Sequence, residues 1–348
     1  MTKRARLIYN PKSGREQVQK HLPKLLQVYE EAGYETSCFQ TSPEPFSAMK
    51  EARRCGQEGF DLIVAAGGDG TINEVVTGIA KLPVRPRLAI LPAGTTNDFA
   101  RALRIPRDNL VKAAKVIQKD DSILMDIGQA SLETDDGPKS KYFMNIAAAG
   151  SMTELTYEVS SQQKSMFGSL AYFLKGAEML PRLNGTPLKI EYDDGIYDGE
   201  ASVVFVTLTN SVGGFEKIAP DTVMGDGKFT LIIVTTSNLV ELTDLARKLI
   251  RGGKHIHDPQ IIYTKTNSVR IDCQNDHKLL INLDGELGGH APVSFECVQQ
   301  HISFVADTQA IQARTSIKSP QEVQLEKELT NQVLESLDYI DSNDPDQD

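Results

Sequence analysis

No apolar run in these 348 residues approaches the roughly 18 needed to cross a bilayer. Any lipid the chain handles must therefore be met from the membrane surface. Met1–Asn10 also lacks the apolar core and small-residue cleavage site of a signal peptide, and reads as a first strand. The four cysteines, Cys38, Cys55, Cys273 and Cys297, have no metal-type spacing, which points to a reduced, cytoplasmic chain with inert thiols. The six histidines have no paired spacing of the metalloprotease kind, and His255 and His257 read as a surface pair. An excess of basic residues is missing too. Residues 321–348 carry nine acids and one base, Lys327, whereas residues 1–320 hold 36 bases and 38 acids. A nearly neutral body with an acidic tail argues against a nucleic-acid binder.

What is present suggests two domains, since 348 residues exceed one ordinary core. The first 128 residues alternate strands with helices. Arg6–Tyr9, Tyr34–Gln40, Asp61–Ala66 and Arg87–Pro92 read as strands, and 16–32, 46–57, 71–81, 97–104 and 109–119 as helices. Asp61–Ala66 is apolar almost throughout, as a parallel strand buried on both faces should be. The order implies a doubly wound α/β domain. From about 122 to 306 the chain turns to short β-rich runs: Phe143–Ala149, Leu188–Tyr192, Ala201–Thr209, Phe229–Val234, Ser268–Ile271, Leu279–Leu283, Val293–Cys297 and Ile302–Val305. The pairs Asp194-Gly195, Asp226-Gly227 and Asp284-Gly285 mark turns, so residues 129–306 are expected to form a β-sandwich. Helical insertions are expected at 152–181 and 238–252. Residues 307–340 form a helical segment that packs on the first domain or on a partner chain, and 341–348 form a disordered acidic tail.

Three turns follow successive strands of the α/β domain, at the carboxyl edge where open sheets bind ligands. The middle one, Gly67-Gly68-Asp69-Gly70-Thr71, precedes a helix. Its glycines let backbone approach phosphate oxygens, and the helix start offers unpaired N–H groups. The spacing fits neither a P-loop nor a dinucleotide fingerprint, because Gly-Lys-Ser/Thr is absent and Asn73 stands where a third glycine belongs. Asp69 opposes a bare phosphate unless a cation lies between them, and magnesium reconciles the two. The first turn, Asn10-Pro11-Lys12-Ser13-Gly14, brings donors in Lys12 and Ser13. The third, Pro92–Asp98, brings hydroxyls and a second carboxylate, although Asn97 or Asp98 also suits a helix cap. Asp126 lies in the apolar stretch Leu124–Gly128 and needs a partner there.

Asn10-Pro11-x-Ser13-Gly14, Gly67–Thr71 with Asn73-Glu74, and Gly94-Thr95-x-Asn97-Asp98-Phe99-Ala100 together resemble the diacylglycerol and sphingosine lipid kinases, and among these the soluble bacterial diacylglycerol kinases. Gly-Gly-Asp-Gly-Thr is shared with NAD kinases and loosely with phosphofructokinases; the Gly94–Ala100 motif is more particular. Phe143–Ala147, Asn210, Gly213-Gly214, Ala219-Pro220, Asp226-Gly227 and Asp284-Gly285-Glu286 continue the likeness, which spans residues 5–306. The resemblance implies ATP in a cleft between an α/β domain and a β-sandwich, with its γ-phosphate passed to the hydroxyl of diacylglycerol to give phosphatidic acid. Nucleotide contacts would fall on Asn10, Pro11, Lys12, Ser13, Gly14, Thr41, Gly67, Gly68, Asp69, Gly70, Thr71, Ile72, Asn73 and Thr95. A structural magnesium would rest on Asp226 with carbonyls of Val223 and Lys228, although Gly225 stands where the family often has a further aspartate. Glu286 would be the general base, with Asp69, Asp98 and Asp126 in a magnesium–water network.

A base needs a pKa not far below working pH, which burial against lipid would supply for Glu286. Without the resemblance, Asp284-Gly285 is simply a hairpin turn and Glu286 its solvated neighbour. Residues 161–182, apolar with flanking lysines, suit either an interfacial helix or one packed on the sandwich. Lys12, Arg15 and Lys20 would face anionic lipid, in a protein cytoplasmic and peripheral to the inner face of the membrane. A homodimer fits the apolar stripe of the tail. The rival readings are a kinase of NAD, phosphatidylglycerol or a sphingoid base, and a nucleotide sensor without catalysis.

Overall fold

The computed structural model describes residues 2–134, 137–151, 180–211, 218–274, 278–313 and 320–342. Strands β1 (Lys3–Tyr9), β2 (Tyr34–Gln40), β3 (Leu62–Gly67) and β4 (Arg87–Pro92) pair in parallel in the order β2-β1-β3-β4. Every residue of β3 is buried, the outcome its unbroken apolar run dictates. Helix α1 (Gln17–Glu31) buries Val18, Leu25, Val28 and Tyr29 at helical spacing. It packs with α5 (Leu110–Ala114), while α2 (Ser47–Gln57) packs with α3 (Asp69–Ala80), so helices flank the sheet as in doubly wound domains. A short α4 (Asp98–Ala102) follows the third turn.

The second domain is two layers of antiparallel strands. One is the six-stranded sheet β12 (Ile261–Thr266), β11 (Phe229–Val234), β10 (Val203–Thr207), β7 (Ile146–Gly150), β14 (Leu280–Leu283) and β15 (Glu286–His290). The other contains β6 (Lys139–Phe143), β5 (Ser122–Leu132), β16 (Val293–Val305), β13 (Ser268–Cys273), β8 (Thr186–Tyr192) and β9 (Gly195–Ala201). Phe143 stacks on Phe229 and meets Phe295 edge-on, each pair 5.7 Å apart, in the core between the layers. Phe304 of β16 pairs in parallel with Leu88 of β4, which makes the second layer continuous with the parallel sheet.

Several details depart from the expectations. A boundary at 128 falls inside β5, because β5 and β16 are long strands whose two halves serve both cores: Met125, Ile302 and Phe304 lie in the first, Ala130 and Phe295 in the second. The expected strands 293–297 and 302–305 are one strand with an irregularity at 299–301, where Gln300 is left-handed (φ 47°). Phe143–Ala149 is split at Met144-Asn145, where the chain passes from one layer to the other. Tyr192 pairs with Gly195, so the hairpin loop is Asp193-Asp194 and not Asp194-Gly195. His255 and His257 do not share an exposed face. A 3-10 turn buries His255, whose Nε2 meets the Ile218 carbonyl at 3.0 Å, and leaves His257 exposed. All four cysteines are free; Cys38 is exposed and only Cys55 is fully buried.

The C-terminal helix takes a place that had not been expected. Helix α6 (Leu239–Ile250) lies on the six-stranded sheet, and after the short α7 (Thr308–Gln312) the long α8 (Pro320–Ser342) packs against α6. Val333 and Leu337 join Leu242, Ile250, Leu180, Leu183 and Val203 in one apolar cluster. The tail thus docks on the second domain, against the apolar face of α6. Of the proposed interfacial segment 161–182, residues 161–179 lie outside the described residues, as do 152–160 of the expected helical insertion; Leu180 is buried in this cluster. Gly213-Gly214 and residues 343–348 also lie outside them, while 341 and 342 belong to α8. Among the described residues no helix is long and apolar enough to cross a membrane.

Candidate active site

The three glycine-bearing turns meet at the carboxyl edge of the parallel sheet, where the order turns between β1 and β3. Asn10 donates its N–H to the Ala66 carbonyl at 3.0 Å, and its side-chain oxygen receives the N–H of Lys12 at 3.0 Å. Ala93 donates to the Gly67 carbonyl at 2.8 Å. Glycine is required where the turns touch: a Cβ on Gly94 would lie 2.5 Å from Gly68 Cα, and one on Gly14 (φ 58°) 2.8 Å from the Ala93 oxygen. Asn97, itself left-handed (φ 50°), exchanges two hydrogen bonds with the backbone of Gly94, at 2.8 and 2.9 Å. Its side chain closes the loop and does not cap α4. Lys12, Gly14, Gly70 and Thr95 are exposed on the lip of this cradle, and Thr41 donates its N–H to Tyr9 at the same edge.

Two carboxylates face each other inside it. Asp69, the first residue of α3, accepts from Thr96 Oγ1 at 3.0 Å and from the N–H groups of Asp98 and Phe99 at 3.3 and 3.4 Å. Burial and the neighbouring Asp98 carboxylate push its pKa up to about 6, against the pull of those donors. Asp98 is buried and accepts from the Ser211 hydroxyl at 2.8 Å. Ser211 belongs to the second domain, so this bond crosses the cleft.

A second crossing lies one helical turn along α3. Asn73 donates its amide to Asp284 Oδ2 at 2.8 Å, over a sequence separation of 211. Asp284 and Gly285, both at positive φ (50° and 90°), form the tight turn between β14 and β15 that the Asp-Gly pair leads one to expect. Asp284 also accepts the N–H groups of Met144, Asn145 and Ile146 at 2.8, 2.9 and 2.9 Å. Glu286 begins β15 and is exposed.

Asp126 has a different setting. It is 2 % exposed, and its two oxygens accept the N–H groups of Gln300 at 2.6 Å and Gly227 at 2.8 Å. The carboxylate thereby ties the irregular segment of β16 to the turn Gly225-Asp226-Gly227. Within that turn Asp226 Oδ1 accepts the N–H of Lys228 at 3.0 Å. Among the described residues no three metal-binding side chains gather.

Three glycine-bearing turns thus face a hairpin that carries a carboxylate, and comparison with known proteins gives the family. Residues 4–130 match the diacylglycerol kinase catalytic domain, and residues 148–306 a C-terminal β-sandwich-like domain of the NAD-kinase type. A diacylglycerol kinase of Bacillus subtilis (strain 168) is 50 % identical over 303 residues, covering 87 % of this chain and 96 % of the relative. The chain belongs to the diacylglycerol kinase family. Another member, from Staphylococcus aureus (strain bovine RF122 / ET3-1), is 43 % identical over 99 % of both chains, so the likeness extends through the tail helix, beyond residue 306. A crystal structure described as a diacylglycerol kinase from Bacillus anthracis str. Sterne superposes with a TM-score of 0.67 at 25 % identity, over 88 % of this chain and 98 % of the other.

Within this diacylglycerol kinase framework, the motif residues divide. Those at 10–14, 41, 67–71 and 95 gather at one sheet edge with Asp69 and Asp98. Ile72 is buried in the core and donates its N–H to the Gly68 carbonyl. The side chain of Asn73 is turned to Asp284 and the Tyr142 carbonyl, and Glu74 caps α2 through Ala48 and Met49. Ser211, Asn145 and Asp284 were not singled out as site residues. Asp284 had one available signal: an aspartate two positions before a candidate base. Ser211 had none.

Proposed function

We propose that this diacylglycerol kinase family member transfers the ATP γ-phosphate to the free hydroxyl of 1,2-diacylglycerol, giving phosphatidic acid and ADP, with Glu286 as general base. The observation that carries this reading is the pairing of Asp69 with Asp98 in a glycine cradle bonded across the cleft to the Glu286 hairpin. The names of the 43–50 % identical relatives supply the acceptor. ATP lies with its phosphates against the turns at 10–14 and 67–71 and the hydroxyl of Thr95. The lipid hydroxyl attacks phosphorus, the bond to the ADP oxygen breaks, and the hydroxyl proton passes to Glu286. Glu286 is exposed in the structure, so the desolvation that would make it a better base comes from the acceptor covering it.

The Asp69–Asp98 pair fits magnesium: two crowded carboxylates form a hard oxygen site whose repulsion a divalent cation relieves. When bound, the ion neutralises charge on the phosphates. Asp226, with the carbonyls of Val223 and Lys228, would hold a second, structural ion; one carboxylate oxygen is already engaged by Lys228, so backbone oxygens would supply most of that site. Asp126 serves the catalytic group by fixing this turn.

The enzyme meets its lipid as a peripheral protein at the inner face of the cytoplasmic membrane. Lys12 and Lys20 are exposed near the cradle, each worth about 1 kcal/mol beside anionic lipid. Incubation with ATP and magnesium against diacylglycerol, phosphatidylglycerol, sphingosine and NAD tests the acceptor. Phosphorylation of diacylglycerol is expected, and turnover of NAD alone overturns the reading.

A further inference from the structure

We infer that Asp284 is a positioning residue that holds the Glu286 hairpin against the nucleotide helix, with Asn73 as its anchor in the other domain. The inference rests on the assignment of Glu286 as base. Both Asp284 oxygens are filled. Oδ1 takes the N–H groups of Asn145 and Ile146, and Oδ2 those of Met144 and the Asn73 amide. Three successive backbone amides form an anion-binding concavity of the kind that usually receives a phosphate; here the protein's own carboxylate fills it. It does so where the chain crosses between the layers of the sandwich, so the Asp284 turn is pinned to the spot where β6 ends and β7 begins.

Asn73 is equally committed. Its amide nitrogen donates to Asp284 and, at 3.3 Å, to the Tyr142 carbonyl, while its oxygen accepts from Thr77 at 3.3 Å. A side chain so engaged is not reaching for a nucleotide. Asn73 follows Asp69 by four residues and therefore lies on the same face of α3. Glu286 follows Asp284 by two residues, a reach of at most about 7 Å. The bond joins the two ends of the reaction path, nucleotide side and base side, through two short rigid segments. A second thread runs parallel to it: Asn145 donates its side-chain amide to the Ser211 carbonyl at 2.8 Å, and the Ser211 hydroxyl donates to Asp98.

Asn73→Ala tests the link cleanly, because the three backbone donors to Asp284 remain and the hairpin keeps its turn. The expected result is a fall in kcat of about 10- to 100-fold, the cost of an ångström-scale misplacement, with KM for ATP within about twofold and a melting temperature lowered by only a few degrees. In a Glu286→Gln background the same substitution should cost nothing further, since there is no base left to place. Asp284→Asn, which puts a donor where an acceptor is needed, should lower kcat at least as far. Three results would overturn the inference: a rise in KM for ATP at constant kcat, which makes Asn73 a nucleotide contact; unchanged kcat while Glu286→Gln is inactive; or an equal loss in both backgrounds. Full activity of Glu286→Gln would instead remove the base assignment, and the positioning role with it.

Discussion

The two sides of the cleft hold their acids with different donors. On the α/β side, Asp69 is crowded by Asp98 and has only long bonds from two amides and one from Thr96, and its pKa rises to about 6. At the seam between the domains and on the sandwich side, Asp126 and Asp284 are each held by short backbone N–H donors, although burial still pushes the Asp284 carboxyl above its usual range. Carboxylates of the first kind are electrostatically incomplete and suit a cation. Those of the second kind take several short donors and fix the shape of the backbone. The sandwich thus spends its aspartates on holding turns in place, and leaves Glu286 as the exposed acid on its hairpin.

The largest effect that follows concerns Glu286. Replacement by Gln should lower kcat by about 10³-fold, within the range for loss of a general base, while ATP binding measured by calorimetry persists. Loss of ATP binding would place Glu286 on the nucleotide side and erase the distinction between the two walls. Next comes Asp126→Ala. Two buried N–H groups would lose a charged acceptor, at about 1.5–3 kcal/mol each, so denaturant unfolding should show a loss of about 3–6 kcal/mol. Comparable stability of mutant and parent would mean that Asp126 is not held by its donors in the sense argued. Leu337→Ala probes a part of the second domain far from either acid. A fully buried leucine typically costs about 2–5 kcal/mol, read here as freer hydrogen exchange in α8 with kinase activity unchanged. The smallest effect belongs to Asp338→Ala. Its 2.8 Å pair with Arg247 is exposed on the Asp338 side, at 72 %, so unfolding should shift by less than about 1 kcal/mol.

The sequence discloses the two walls unequally. The α/β side is legible because its determinants are local. An unbroken apolar strand, a glycine turn and a helix start follow one another within about a dozen residues, and Asp69 sits inside its own motif. The Asp284-Gly285 hairpin is legible for the same reason. The bonds that assemble the site are not, since Asn73 meets Asp284 across 211 residues and Ser211 meets Asp98 across 113. No periodicity encodes such pairs. Position in the motif says nothing of where the side chains of Asn73 and Ile72 go: the helix turns one to the second domain and the other into the core. The sequence marks Asp126 as an acid in need of a partner. That its partners are the amides of an irregular strand and a glycine turn depends on a bend in β16 visible only in three dimensions.

The central claim, that Asp69 is crowded and incompletely compensated, is tested most directly by the stability of the ligand-free protein against pH. A carboxyl raised from 3.8 to about 6 on folding favours the folded state when protonated. That contribution is complete below pH 4 and is lost as pH rises through 6, at a cost of up to about 3 kcal/mol. Chemical denaturation of the parent and of Asp69→Asn without magnesium, at pH 5 and pH 7.5, reads it out. The account predicts that Asp69→Asn is the more stable protein at pH 7.5 and that its advantage shrinks towards pH 5. An Asp69→Asn protein destabilised equally at both pH values would contradict it, and would place Asp69 among the aspartates held by short backbone N–H donors.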